Sequence, residues 1–134
     1  MEVNVRFLKD VKMEVAARQH SLVCDQPPEN GGSDEGMTPP ELLLASLGTC
    51  AAFYALAYLK KKGLPREGTE VRVTAAKAGP PARLDFFRIE VKIPLALSEA
   101  VRAGVEQAVH HCLIHNTLLQ PPKIQIELKA PAAV

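Results

Sequence analysis

Residues 38–65 read TPPELLLASLGTCAAFYALAYLKKKGLP, and this stretch decides the fold. Thr38 is placed to N-cap a helix, Pro39 takes the first helical position, where its missing N–H costs nothing, and Glu41 completes a capping box. Lys60, Lys61 and Lys62 fall in the last turn, where the negative end of the helix dipole favours cations, and Gly63 and Pro65 then stop the helix. These signals predict one helix over 38–63. Apolar residues occupy nearly every face between the caps, so such a helix has to be surrounded by protein. The run from Leu42 to Leu59 is about 18 residues, short of the roughly 20 a bilayer demands, and Ser46, Gly48 and Thr49 interrupt it. A buried core helix, covered in part by a second subunit, is the reading that follows.

On the N-terminal side, Val3, Val5 and Phe7 alternate with polar neighbours, Lys9-Asp10 reads as a turn, and Val11, Met13 and Val15 alternate again. A third short strand is expected from His20 to Cys24, so residues 1–24 form N-terminal strands. The segment 25–37, DQPPENGGSDEGM, is rich in Pro, Gly and acid and is expected to be a mobile loop. On the C-terminal side, strands are expected within 69–93, from Thr69 to Ala75 and from Arg83 to Ile93, with a turn at Gly79-Pro80-Pro81. A second helix follows over 98–112, with Ser98 as its N-cap and Val101, Val105, Ala108, Val109 and Cys112 at helical spacing. Alternation in KIQIELK predicts a last strand over 123–129. Three strands, helix, two strands, helix and strand describe an α+β fold with antiparallel sheets, in a single domain over 1–134.

Composition narrows the function. Sixteen Lys+Arg balance 15 Asp+Glu for a net charge of +1, which supplies no electrostatic footprint for nucleic acid or an anionic membrane. The charged N-terminus lacks the apolar core of a signal peptide. Three cysteines, an odd number, are then expected to be reduced thiols in a cytoplasmic protein.

The chain carries no P-loop, no GxGxxG, no GxSxG and no HExxH. What stands out is Cys50, mid-helix in LGTCAAF, and Cys112, in VHHCLIHN. A buried cysteine is by default a small hydrophobe, whereas a reactive one must be held as thiolate. Cys50 lies about three turns into its helix, too deep for the dipole alone to ionise it, so a cation from elsewhere is needed. Arg18, near the end of the N-terminal strands, is one candidate. Gly48 lets a backbone or ligand approach the helix closely. Metal binding competes for the same residues, since His111, Cys112 and His115 offer mixed ligands within five positions, although no second ligand pair stands at a recognisable spacing.

The pattern P-x-E-L-L-x-A-S-x-G-x-C at 39–50, followed about 60 residues later by Cys112, resembles the OsmC/Ohr superfamily of osmotically induced and organic-hydroperoxide-resistance proteins. The resemblance extends over nearly the whole chain in length and element order. It implies an OsmC-like fold and an intertwined homodimer, with sheets from both chains wrapped around two long central helices. It also implies a thiol-dependent peroxidase for organic hydroperoxides. Cys50 would then be the peroxidatic thiol that becomes a sulfenic acid, and Cys112 the resolving thiol that closes a Cys50–Cys112 disulfide. Reduction would come from an external dithiol of lipoyl or thioredoxin type, with no bound cofactor or metal.

By the same resemblance Arg18 would activate the thiolate and Glu41 orient the arginine. Peroxidase members carry a glutamate ten residues before the first cysteine; here that position is Pro40, and Glu41 stands nine before, a shift similar to that of an OsmC-like branch. Two other readings stay open at this point. One is a dimer that binds a small ligand without peroxidase activity, and the other is a zinc site around Cys112 and His115.

Overall fold

The computed structural model describes residues 1–133. Its centre is the helix α1, Pro39–Lys61, with both ends formed as the sequence dictates. The Glu41 carboxylate accepts the Thr38 backbone N–H at 2.7 Å and the Thr38 hydroxyl at 2.9 Å. At the other end Gly63 adopts φ +68°, Leu64 N–H reaches back to the Leu59 carbonyl at 3.0 Å, and Gly63 N–H reaches Lys60 at 3.0 Å. That pair of bonds is a Schellman stop, and it needs a residue tolerant of the left-handed region.

Ahead of α1 lie β1 (Asn4–Lys9), β2 (Lys12–Ala17) and β3 (His20–Cys24), an antiparallel sheet in the order β1-β2-β3. After α1 come β4 (Glu70–Ala78) and β5 (Arg83–Lys92), an antiparallel pair, then α2 (Glu99–Val109) and α3 (Leu113–Leu119). The architecture is α+β, as the element pattern predicts.

Only one stripe of α1 is covered. Leu47, Gly48, Ala51, Ala55 and Leu59 are buried against β4, β5 and α2, and Ala55, Leu59 and Val105 form a core flanked by Tyr58, Leu64, Val91, Ile93 and Val109. Small residues on this stripe set the approach distance. A Cβ on Gly48 would lie 3.1 Å from Cγ2 of Val73, so β4 is the backbone that Gly48 admits. A Cβ on Gly104 would lie 1.9 Å from Oη of Tyr58, so α2 can sit against α1 only because position 104 is bare. Among the described residues nothing covers the opposite face of α1: Phe53 is 66% exposed, and Thr49 and Ala57 are exposed beside it.

The N-terminal sheet stands clear of this body. None of its strands packs appreciably against α1, α2 or α3, every residue of β1 is exposed, and Val3, Val5 and Phe7 face solvent. The segment 25–37, expected to be a mobile loop, is wound around the buried Asp25. Its Oδ2 accepts the N–H groups of Ser33 and Glu35, each at 3.1 Å. Burial would push the Asp25 carboxyl up, but these donors, the Gln26 N–H and the nearby Lys12 hold it below the usual range. Glu35 in turn pairs with Lys12 of β2, latching the loop to the sheet.

Two expectations are corrected. The second helix ends at Val109, well before Cys112, and a separate helix α3 follows that propensity did not announce. The strand expected over 123–129 is not formed: the segment has no ladder, and Ile124, Ile126 and Leu128 are 84%, 91% and 89% exposed. Alternation is necessary for a half-buried strand but not sufficient, because a strand exists only with an edge to pair with.

The α1–α2 contact gives a testable outcome. Gly104→Ala should destabilise the chain by about 1–3 kcal/mol in urea unfolding, because the Tyr58 ring must give way. In a Tyr58→Ala background the same substitution should become neutral or stabilising, since alanine's helix propensity is then unopposed.

Candidate active site

Cys50 is half-buried on α1, and the chain returns to it through the turn between α2 and α3. After Val109 the backbone tightens, with His111 N–H bonded to Ala108 at 3.1 Å and Cys112 N–H to Val109 at 3.0 Å. Cys112 then leaves the helical region, with φ −56° and ψ 122°, and becomes the N-cap of α3. Its carbonyl accepts the Asn116 N–H at 3.0 Å and its Sγ accepts the His115 N–H at 3.4 Å.

This turn brings the two thiols together. Burial alone would push the Cys50 thiol up, but the Cys112 thiol and the backbone N–H groups of Ile114 and Leu113 donate toward its sulfur and outweigh burial. The net displacement of Cys50 is downward. Cys112 is fully buried and moves the other way: burial raises it first, the Cys50 sulfur raises it further, and the His115 and Ile114 N–H groups offset only part. Two neighbouring thiols displaced in opposite directions divide into a nucleophile and a proton-bearing partner.

The other candidate residues lie apart from this pair. Arg18 occupies the two-residue turn between β2 and β3, in the left-handed backbone such hairpins demand, with φ +55°. It is exposed on the sheet that stands clear of α1 and is not among the groups that shift Cys50. Glu41 is spent on the Thr38 cap, which holds its carboxyl below the usual range. It lies roughly 13 Å along the helix from Cys50 and about half a turn round it. Cys24, buried at the end of β3, pairs with Met13 and bridges to Met37.

The histidines gather at one side. The rings of His110 and His115 meet edge to face at 5.5 Å, and His115 Nδ1 lies 3.3 Å from Asn116 Oδ1. Among the described residues no group of three or more His, Cys, Asp or Glu converges as a metal site would require. A cavity of about 350 Å³ lies between α1 and β4, lined by Leu44, Gly48, Ala52, Val71 and Val73 among others, and a second of about 500 Å³ lies between β5 and α2. Cys50 lines neither. Sequence reasoning found both thiols and missed the donors of Leu113, Ile114 and His115. Backbone N–H groups leave no residue signature, and the only hint was a short apolar run after Cys112.

Comparison with known proteins agrees with the fold. The family described as OsmC-like protein matches residues 32–127. No curated protein sequence matches the chain significantly. Among solved structures, the chain superposes on an OsmC-like protein from Mycoplasma pneumoniae with a TM-score of 0.75, at 20% identity over 90% of this chain and 87% of that one. A candidate osmotic stress induced and detoxification response protein from Psychrobacter arcticus gives a TM-score of 0.78, at 20% identity over 86% and 85%. An organic hydroperoxide resistance protein from Legionella pneumophila gives 0.61, at 16% identity over 87% of each.

The split between the thiols predicts their reactivity. Iodoacetamide labelling of Cys50 across pH, read by peptide mass mapping, should have its midpoint below the free-thiol value of about 8.5. Cys112→Ala removes one donor and should move that midpoint upward. A wild-type midpoint at or above the free-thiol value would overturn the assignment.

Proposed function

The chain belongs to the OsmC-like protein family, and we propose that it is a thiol-dependent peroxidase for organic hydroperoxides, with Cys50 as nucleophile and Cys112 as resolving thiol. What supports this reading is that the turn after α2 sets Cys112 beside Cys50, near enough that each thiol displaces the other, Cys50 downward and Cys112 upward. In the first step the Cys50 thiolate attacks the terminal oxygen of the hydroperoxide and the O–O bond breaks. The alkoxide takes a proton to leave as an alcohol, and Cys50 becomes a sulfenic acid. Cys112 then attacks the Cys50 sulfur, and hydroxide departs with the Cys112 proton as water. The resulting disulfide is reduced by an external dithiol, of lipoyl or thioredoxin type, in the cytoplasm. A resolving thiol already in contact shortens the life of the sulfenic acid and so limits over-oxidation.

The working unit in this proposal is a homodimer. The uncovered face of α1 around Phe53, the free-standing β1-β2-β3 sheet and the unpaired apolar segment 123–129 are each surfaces that a second copy would cover. Wrapping of the N-terminal sheet around the partner delivers Arg18 to a Cys50 site and supplies the cation that one chain lacks. It also encloses the apolar surroundings that favour an alkyl peroxide over hydrogen peroxide. The second reading, a ligand-binding dimer without turnover, is favoured by one observation: the Glu41 carboxylate is engaged by Thr38 and is not free to orient an arginine.

Two measurements separate these readings. With excess dithiol, the reduced protein should consume cumene hydroperoxide much faster than hydrogen peroxide, and Cys50→Ser should abolish this. No loss of either peroxide would favour the ligand-binding reading, and turnover retained in Cys50→Ser would remove Cys50 from the chemistry. In light scattering the wild type should have twice the chain mass and Phe53→Glu should shift toward monomer; a monomeric wild type would sink the dimer.

A further inference from the structure

Cys112 has a second duty, which is structural. Its sulfur is the acceptor that caps α3, although a thiol lies outside the usual capping set of Ser, Thr, Asp and Asn. Little else holds α3. It has seven residues, none of them buried, and it packs on α1 with Leu113 60% and Leu119 68% exposed. So short a helix has no stability of its own in water. The cap and the contact with α1 therefore carry it.

The same placement obstructs the chemistry that must follow. Thiol–disulfide exchange needs the attacking sulfur to reach a disulfide sulfur. Cys112 is fully buried and Cys50 is half-buried, with the N–H groups of Leu113 and Ile114, in the first turn of α3, turned toward its sulfur. With α3 in place, the Cys112 sulfur of a disulfide between them would be closed to an incoming dithiol and the Cys50 sulfur partly covered.

We propose that α3 is a redox-operated gate: closing the Cys50–Cys112 disulfide weakens the sulfur cap on the His115 N–H, α3 loosens, and the disulfide opens to its reductant. The gate rests on the reading of Cys50 and Cys112 as a redox pair. Oxidation joins two thiols in one S–S bond, and two electrons and two protons pass to the hydroperoxide, which leaves as alcohol and water. Reduction returns two electrons and two protons from the dithiol, which becomes a disulfide, and the restored Cys112 thiol recaps α3. The device thus admits the reductant only when there is a disulfide to reduce.

The test uses diamide, a thiol oxidant that accepts the same two electrons and two protons and forms the disulfide without peroxide chemistry. Hydrogen exchange read by mass spectrometry should show the amides of 113–119 exchanging about tenfold faster in diamide-treated than in reduced wild type. Diamide should leave Cys50→Ser unchanged there. In the reduced state Cys112→Ser should keep the helix protected, since serine is an ordinary cap, and Cys112→Ala should not. Equal or slower exchange in the disulfide form would overturn the gate, as would failure of diamide to link Cys50 to Cys112. A second readout uses Thr117, exposed on α3. Dithiothreitol should reduce the disulfide of Thr117→Gly about fivefold faster than that of Thr117→Ala, following their helix propensities. Equal rates would overturn the gate. If both readouts hold and no peroxide is consumed, the gate stands and the peroxidase reading falls.

Discussion

A 23-residue helix that is apolar on nearly every side imposes the constraint on which the rest of the molecule depends. The chain satisfies it on one stripe only, by narrowing that stripe with Gly48, Ala51 and Ala55 until β4 and α2 come close. Close packing there costs nothing in polar groups, because the helix carries its own hydrogen bonds and both ends are capped. The other face presents Phe53, and burying one such side chain is worth about 1.5–3 kcal/mol. A chain that leaves Phe53, Phe7, Ile124, Ile126 and Leu128 in water has left several such terms ungathered. These residues sit on three separate segments, and in the proposed homodimer a second copy of the same surfaces would cover all three at once.

The thiol pair follows from where that helix meets the turn after α2. In a low-dielectric place both cysteines would stay protonated, and burial pushes both upward. What breaks the symmetry is direction. The N–H groups of Leu113 and Ile114 face the Cys50 sulfur across elements, and Cys112 shares its own sulfur with the His115 N–H while donating to Cys50. Fixed dipoles can favour a thiolate without any full charge in contact. They cannot polarise a peroxide's departing oxygen from the far side, and in the proposed peroxidase that part would fall to a cation such as Arg18.

Much of this was legible before any coordinates. Thr38, Pro39, Glu41 and Gly63 delimit α1 by local chemistry alone, and alternation found β1 to β5 because each pairs with a sequence neighbour through a short turn. The two thiols were legible because few other groups compete for chemistry. The strand over 123–129 failed for a physical reason: its pattern is right, but among the described residues no sheet edge pairs with it. Helix α3 was illegible because its cap is a cysteine and its length is two turns, both below what propensity registers. Asp25 was hidden by composition. A Pro- and Gly-rich acidic segment reads as loose, yet Gly32 and Gly36 are there so that backbone can close around a buried carboxylate, where an added Cβ would lie 1.8 Å from the Gln26 carbonyl oxygen and 2.2 Å from that of Val23.

The position of Arg18 ties these strands of argument together. A left-handed arginine at a hairpin tip is costly for a residue with a Cβ, and asparagine or glycine would make the same turn more easily. The turn therefore does not explain the arginine. The sheet that carries it is joined to the loop before α1 through the Lys12–Glu35 pair. In the proposed dimer, a cation on a sheet with no cover among the described residues would be available to an anion outside that sheet. In that proposal the anion is the Cys50 thiolate, and burial of the bare faces of α1 and β1 would bring the two together.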